Sequence, residues 1–189
     1  MFVEDEEETL GEVRLYHVDG TLVHTFKGHA SSVYTLAVTP DGQHIISGAY
    51  DYDVKVWSVA TKSLVSTCIG HAEYLRAVAA MPDGQRFLSG GQDKTVRVWL
   101  LNGTLENTFE LHAGWVNALV TLPDNQHALS GSSDHTVKLF NVNDGTVLRN
   151  FTHHTGAVRS LALMPDGLRF ISGSDDETAC IVYHGLAPQ

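Results

Sequence analysis

Short apolar runs separated by turn-forming residues recur along the whole chain, and their spacing predicts strands throughout. Val13-Arg14-Leu15-Tyr16 alternates apolar and polar residues with the period of a half-buried strand. Asp19-Gly20 then supplies a hairpin signal, and Thr21 to Phe26 forms the next strand. Val33 to Val38 is almost continuously apolar or small, the pattern of a strand buried on both faces. Pro40-Asp41-Gly42 ends it in a tight turn, the proline fixing φ and the glycine accepting φ > 0. Ile45 to Gly48, Val54 to Val59 and Leu64 to Ile69 follow as three more strands.

This unit is then written three more times. Histidines fall at His29, His71, His112 and His154, at spacings of 42, 41 and 42 residues. Pro40, Pro82, Pro123 and Pro165 keep step, as do the Ser-Gly pairs beginning at Ser47, Ser89, Ser130 and Ser172. In the third unit Pro123-Asp124-Asn125 puts asparagine where the others have glycine, the next best residue for the left-handed conformation. A period of roughly 40–45 residues with four strands per unit is the signature of a propeller blade. Stacked repeats share one continuous core, so the chain is one array rather than a set of independent domains.

The units read as 29–70, 71–111, 112–153 and 154–189, the last without its fourth strand. Residues 11–28 echo the outer two strands of a blade, since Tyr16 stands one repeat before Trp57. If 21–26 completed the last unit in a closed ring, 13–17 would compete with 179–183 for one place. The fold expected is therefore all-β, an open or partial ring of four repeats of about 42 residues plus an N-terminal half-blade. The array is expected to be an excerpt of a longer propeller or, as the runner-up, a half that pairs with a second copy. Unpaired blade edges would make self-association surfaces.

Each unit also carries a His, a Ser and an Asp: His29, Ser47, Asp51; His71, Ser89, Asp93; His112, Ser130, Asp134; His154, Ser172, Asp176. These are the residue types of a nucleophilic triad, so a hydrolase is one reading. Fourfold repetition opposes it, because a structural role recurs with every fold unit and an active site gains nothing from copying. A histidine entering the inner strand can donate to the turn aspartate and bond the serine, satisfying buried polar groups. No catalytic residue is assigned. Eleven histidines raise the question of metal, but no HExxH motif or cysteine pair accompanies them, so no metal and no cofactor is expected.

Gly28-His29 at the start of a unit, Asp51 in the turn after the second strand and Trp57 closing the third resemble the WD40-repeat family. The resemblance covers residues 13–183, although the dipeptide that names the family is reduced to Trp57-Ser58, Trp99-Leu100, Phe140-Asn141 and Val182-Tyr183. It implies a β-propeller whose innermost strands line a central channel. It also implies a His–Ser–Asp–Trp network that ties each blade, complete with Trp57 and Trp99 and shorter where Phe140 and Val182 stand. Partners of such propellers bind the face formed by the loops entering the inner strands. There the resemblance places Ser32 and Tyr34, Tyr74 and Arg76, Trp115 and Asn117, Ala157 and Arg159, with Tyr50, Gln92, Ser133 and Asp175 before the turn aspartates. Tyr34, Tyr50, Tyr74, Arg76, Trp115, Asn117, Arg159 and Asp175 are the partner-binding candidates, since Tyr, Trp and Arg dominate interface hot spots.

Charge narrows the partner. The formal net charge is −10, a field that repels phosphate and anionic lipid and opposes a nucleic-acid reader. Two arginines on the binding face favour an acidic peptide, and a non-catalytic scaffold or adaptor for protein partners is the expected function. Glu4-Asp5-Glu6-Glu7-Glu8 makes residues 1–10 an acidic tail, expected to stay solvated, with an interaction tail as the sharper reading. No apolar run approaches about 18 residues, so no membrane span is expected, and no signal peptide is apparent. Cys68 and Cys180 read as two reduced thiols of a cytoplasmic or nuclear protein.

Overall fold

A computed structural model describes residues 11–186; the acidic segment read at 1–10 lies outside them. All of its regular elements are strands, and they fall into five antiparallel sheets. The first is a hairpin of β1 (Gly11–Tyr16) and β2 (Leu22–His29). The first full blade orders β3 (Val33–Val38), β4 (His44–Ala49), β5 (Val54–Ser58) and β6 (Ser63–Cys68) from inside outward. The second holds β7 (Leu75–Ala80), β8 (Arg86–Gly91), β9 (Val96–Leu100) and β10 (Leu105–Phe109). The third holds β11 (Val116–Thr121), β12 (His127–Ser132), β13 (Val137–Asn141) and β14 (Val147–Phe151). The last has three strands, β15 (Val158–Leu163), β16 (Arg169–Ser174) and β17 (Ala179–Tyr183).

The blades stack face to face, which is where alternation along each strand becomes a core. One side of the first blade offers Ile46, Val54, Val56 and Cys68 to Leu75, Val78, Phe87 and Trp99 of the second. Leu88, Val96 and Val98 of the second meet Val116, Leu119, Ala128 and Phe140 of the third. Leu129, Val137 and Leu139 then meet Val158 and Phe170 of the last. The N-terminal hairpin packs as a preceding blade would, Val13 and Phe26 against Ile45 and Trp57. The inner strands β3, β7, β11 and β15 are successive neighbours, and the four blades form an open arc rather than a closed ring.

One expectation fails. The inner strand β3 is not buried on both faces: Tyr34, Leu36 and Val38 are 51%, 55% and 56% exposed. The hairpin before it has two outer strands only, so nothing covers the inner part of this side of the first blade. The equivalents of Leu36 in the next two blades, Val78 and Leu119, are buried because a complete blade precedes each. Apolar composition alone could not distinguish the strand at the end of a stack from those inside it.

Candidate functional site

Each inner strand begins with a β-bulge, and the bulges aim the side chains of the site. The register of β3 with β4 slips between Val33 and Thr35, leaving Tyr34 outside the ladder. The same slip leaves out Arg76 in β7, Asn117 in β11 and Arg159 in β15. A bulge bends its strand and re-aims the extra side chain, so these four residues sit at the mouth, the rim where the loops enter the inner strands. The residue before each turn aspartate is tied to the same place. Backbone N–H groups of Tyr50, Gln92, Ser133 and Asp175 donate to the carbonyls of Ser32, Tyr74, Trp115 and Ala157 at 3.0, 2.9, 2.9 and 3.0 Å. The three positions per unit that the sequence singled out are thus one bolted triplet per blade.

Across the first three blades the triplets meet. Tyr34 stacks on Tyr50 with ring centroids 5.4 Å apart, and Tyr50 lies 4.5 Å from Tyr74. Arg76 stands between two aromatic faces, 4.8 Å from the Tyr34 ring and 5.3 Å from Trp115. With its amide oxygen turned to the guanidinium, Gln92 accepts from Arg76 Nη2 at 2.7 Å and Nε at 3.1 Å. Tyr52, which the sequence reading passed over, joins this cluster at 5.4 Å from Tyr74. Its signal was available: it is an aromatic residue directly after the turn aspartate, where the other units carry Lys94, His135 and Glu177.

Two candidates behave differently from the rest. Arg159 Nε donates to both oxygens of Asp175 at 2.9 Å, so its charge is already matched within the site. Asn117 points toward the next blade, its Nδ2 donating to Ser133 Oγ at 3.0 Å and to the Val158 carbonyl at 2.9 Å. Unlike Arg159, Arg76 therefore stands at the mouth without an ion pair among the described residues.

Beneath the mouth lie the four His/Ser/Asp sets. In the second blade His71 Nδ1 donates to Asp93 at 2.7 Å, and Ser89 Oγ bonds His71 Nε2 at 2.7 Å. Trp99 Nε1 donates to the same Ser89 oxygen at 2.8 Å. The first blade repeats this with His29, Asp51, Ser47 and Trp57. The other two keep only the links of His112 to Asp134 and Ser130, and of His154 to Asp176 and Ser172. The aspartates also accept backbone N–H bonds from Ala30, Ala72, Ala113 and Thr155, fixing the loop that enters each inner strand. All four histidines and all four serines are buried.

Electrostatics follow from that burial. Desolvation holds the His29 and His112 imidazoles below their ordinary pKa, against the pull of Asp51 and Asp134. A neutral ring that donates from Nδ1 must accept at Nε2, so the serine hydroxyl points at the ring. Burial raises the Asp93 pKa, but hydrogen bonds and charge from His71 and bonds from Thr95 outweigh it and bring it to about 2. Burial pushes the Cys68 thiol up to about 11, which removes its nucleophilic form. Among the described residues no group of three His, Cys, Asp or Glu side chains could hold a metal ion.

The family model for the WD domain, G-beta repeat, matches residues 20–58, 62–99, 103–141 and 145–182. The chain belongs to the WD40-repeat family. Each matched segment starts on or just before the outer strand of one blade and closes on the third strand of the next, the overlap that locks neighbouring blades together. Human and mouse Striatin are each 34% identical over 44 residues, which is 23% of this chain and 6% of those proteins. The probable inactive serine/threonine-protein kinase lvsG of Dictyostelium discoideum is 40% identical over 52 residues, 27% of this chain and 2% of that protein. The chain thus spans a small fraction of the length of the curated relatives it matches. WD40 propellers are in general interaction domains, and they bind protein partners.

Proposed function

We propose that this protein is a non-catalytic scaffold that captures a protein or peptide partner at the channel mouth. The observation that carries the reading is the contiguous cluster of Tyr34, Tyr50, Tyr74, Arg76 and Trp115, assembled from three blades by bulged strands. Such side chains bury large areas at low entropic cost and still offer hydrogen bonds, which suits a hot spot. Arg76 favours a carboxylate-bearing segment of the partner, with a bidentate bond inside aromatic walls. Hydrolysis by a His/Ser/Asp set is opposed by the burial of Ser47, Ser89, Ser130 and Ser172, since a nucleophile must touch its substrate. Nucleic acid is opposed by the net charge of −10. Two free thiols, Cys68 and Cys180, suit the cytoplasm or nucleus.

Affinity capture from a lysate, followed by mass spectrometry, tests this directly. Wild type should retain partners that the Trp115→Ala, Arg76→Ala double variant loses. Equal capture by both proteins would exclude the mouth as the docking surface.

A second reading rests on the open ends of the arc. Ile181 and Tyr183 are 58% and 67% exposed, although Val56 and Val98, the counterparts of Ile181, are fully buried between blades. Such a face favours assembly with a second copy into a larger ring. A monomer by light scattering with a cooperative melt would count against this assembly.

A further inference from the structure

In every blade the bulge residue is paired with the residue sixteen positions later, the one that precedes the turn aspartate. The first pair is Tyr34 stacked on Tyr50 at 5.4 Å, and the third is Asn117 Nδ2 donating to Ser133 Oγ at 3.0 Å. The second and fourth pairs both begin with arginine and differ in the mate. Arg159 donates from Nε to both oxygens of Asp175 at 2.9 Å and from Nη2 to one of them. Arg76 donates from the same two nitrogens, at 3.1 and 2.7 Å, to the amide oxygen of Gln92. Aspartate cancels the charge it holds, whereas glutamine holds the same edge of the guanidinium and leaves the charge standing.

What Gln92 leaves is directional. The second Nη2–H and the Nη1–H groups remain, and they form the fork that takes a carboxylate side by side. The Tyr34 ring from the first blade and the Trp115 ring from the third flank Arg76 Cζ at 4.8 and 5.3 Å. An anion bonded in the plane of the guanidinium extends that plane between the two rings. A carboxylate is flat and fits there. A phosphate is tetrahedral, and its second charge is repelled further by a chain of net charge −10. Aromatic surface continues on both sides, as Tyr50 and Tyr74 beyond Tyr34 and as Trp115 itself. A chain terminus would use one side only, and an acidic residue inside an extended segment uses both.

We propose that Gln92 sets the specificity of the mouth. By holding Arg76 without neutralising it, Gln92 makes the second blade a slot for one internal Asp or Glu side chain of an extended partner segment. This rests on the reading of the mouth as the docking surface. Gln92 is a positioning residue, acting through Arg76. The fourth blade is the closed version of the same slot, because Asp175 already fills it.

The probe is the peptide acetyl-Phe-Glu-Phe-amide, whose blocked ends leave a single carboxylate. Trp115 supplies the readout: it is 40% exposed, while Trp57 and Trp99 are 2% and 1% exposed, so a ligand at the mouth changes chiefly its emission. Titration of wild type should give a saturable change. Peptides with glutamine or phosphoserine in place of the glutamate should bind about tenfold more weakly. Arg76→Gln should abolish the preference for glutamate over glutamine.

Gln92→Glu writes the pair of the fourth blade into the second at almost unchanged volume. It should weaken the glutamate peptide about tenfold and leave the glutamine peptide within about twofold. Gln92→Asn, which stays neutral, should keep the wild-type preference. A merely structural role would move both peptides together. Equal effects of Gln92→Glu on the two peptides would overturn the proposal, as would no saturable binding of the glutamate peptide or tighter binding of the phosphoserine peptide. Partner capture separates this from the function proposed above. Capture lost in Trp115→Ala, Arg76→Ala but unaltered in Gln92→Glu would keep the mouth and remove Gln92 from its specificity; capture unaltered in both would exclude the mouth itself.

Discussion

Trp99 Nε1 donates to Ser89 Oγ at 2.8 Å, and through that oxygen it is tied to His71 and Asp93. The bond crosses from the third strand of the blade to the second, and the loop before the first is held by the same chain. Trp99→Phe keeps most of the packing and deletes this one donor, leaving the second blade as Phe140 leaves the third. It should cost about 0.5–1.5 kcal/mol for the hydrogen bond, with a smaller addition for lost volume. A double-mutant cycle with Ser89→Ala, read by urea unfolding, checks it: zero coupling would mean that the geometry carries no energy.

Asp93 is the more consequential member. Its carboxylate accepts from His71 Nδ1, the Ala72 N–H, the Thr95 N–H and Thr95 Oγ1. Asp93→Ala strands these donors, at about 1–3 kcal/mol for buried groups left unpaired. For a chain of this size that corresponds to a fall in melting temperature of about 2–12 °C. Circular dichroism would measure it. An unchanged Tm with partner capture abolished would instead mark Asp93 as a contact residue.

The blade period, the strand order and the four networks were legible because they repeat: a position bearing the same residue type every 41 or 42 residues can be aligned within one chain. What does not repeat was harder. That Arg76 lacks a carboxylate while Arg159 has Asp175 depends on whether the third position of the triplet holds Gln92 or Asp175, a pairing across strands. The bulges at Tyr34 and its counterparts left no sequence mark, since a register slip is a property of two strands. The exposure of Leu36 depends on what stacks beneath it, not on its own neighbours in the sequence.

Acid should unfold the protein in two stages. The imidazoles of His29 and His112 titrate below their ordinary 6.5 because burial disfavours the charged ring. The unfolded chain therefore takes up those protons first, so stability is full above a pH of about 6.5 and declines as pH falls below it. Asp93, lowered from 3.8 to about 2, contributes stability above 3.8 that is lost between there and about 2. Melting temperatures across this range should show a shoulder near neutrality and a steeper loss below a pH of about 4. A flat profile between about pH 7 and 5 would mean that these rings are not held neutral.

The glycine of each Ser-Gly pair is set by the next blade. A Cβ on Gly90 would lie 2.6 Å from Val116 Cγ1 and 3.0 Å from its Cβ, on the inner strand of the following blade. Gly48 and Gly131 stand in the same relation to Leu75 and Val158. Gly173 has no blade beyond it among the described residues, and a Cβ there would meet only the Ser160 hydroxyl, at 2.8 Å. Gly90→Ala must therefore push two packed blades apart, at about 1–3 kcal/mol as for other overpacked cores. In Gly173→Ala the serine hydroxyl can rotate away, and the cost should stay within roughly 0.5 kcal/mol. Chemical denaturation of the two variants side by side checks the pair. The test also reads assembly: a second copy stacked on the last blade in solution would make Gly173→Ala as costly as Gly90→Ala, with a dependence on protein concentration that Gly90→Ala would lack.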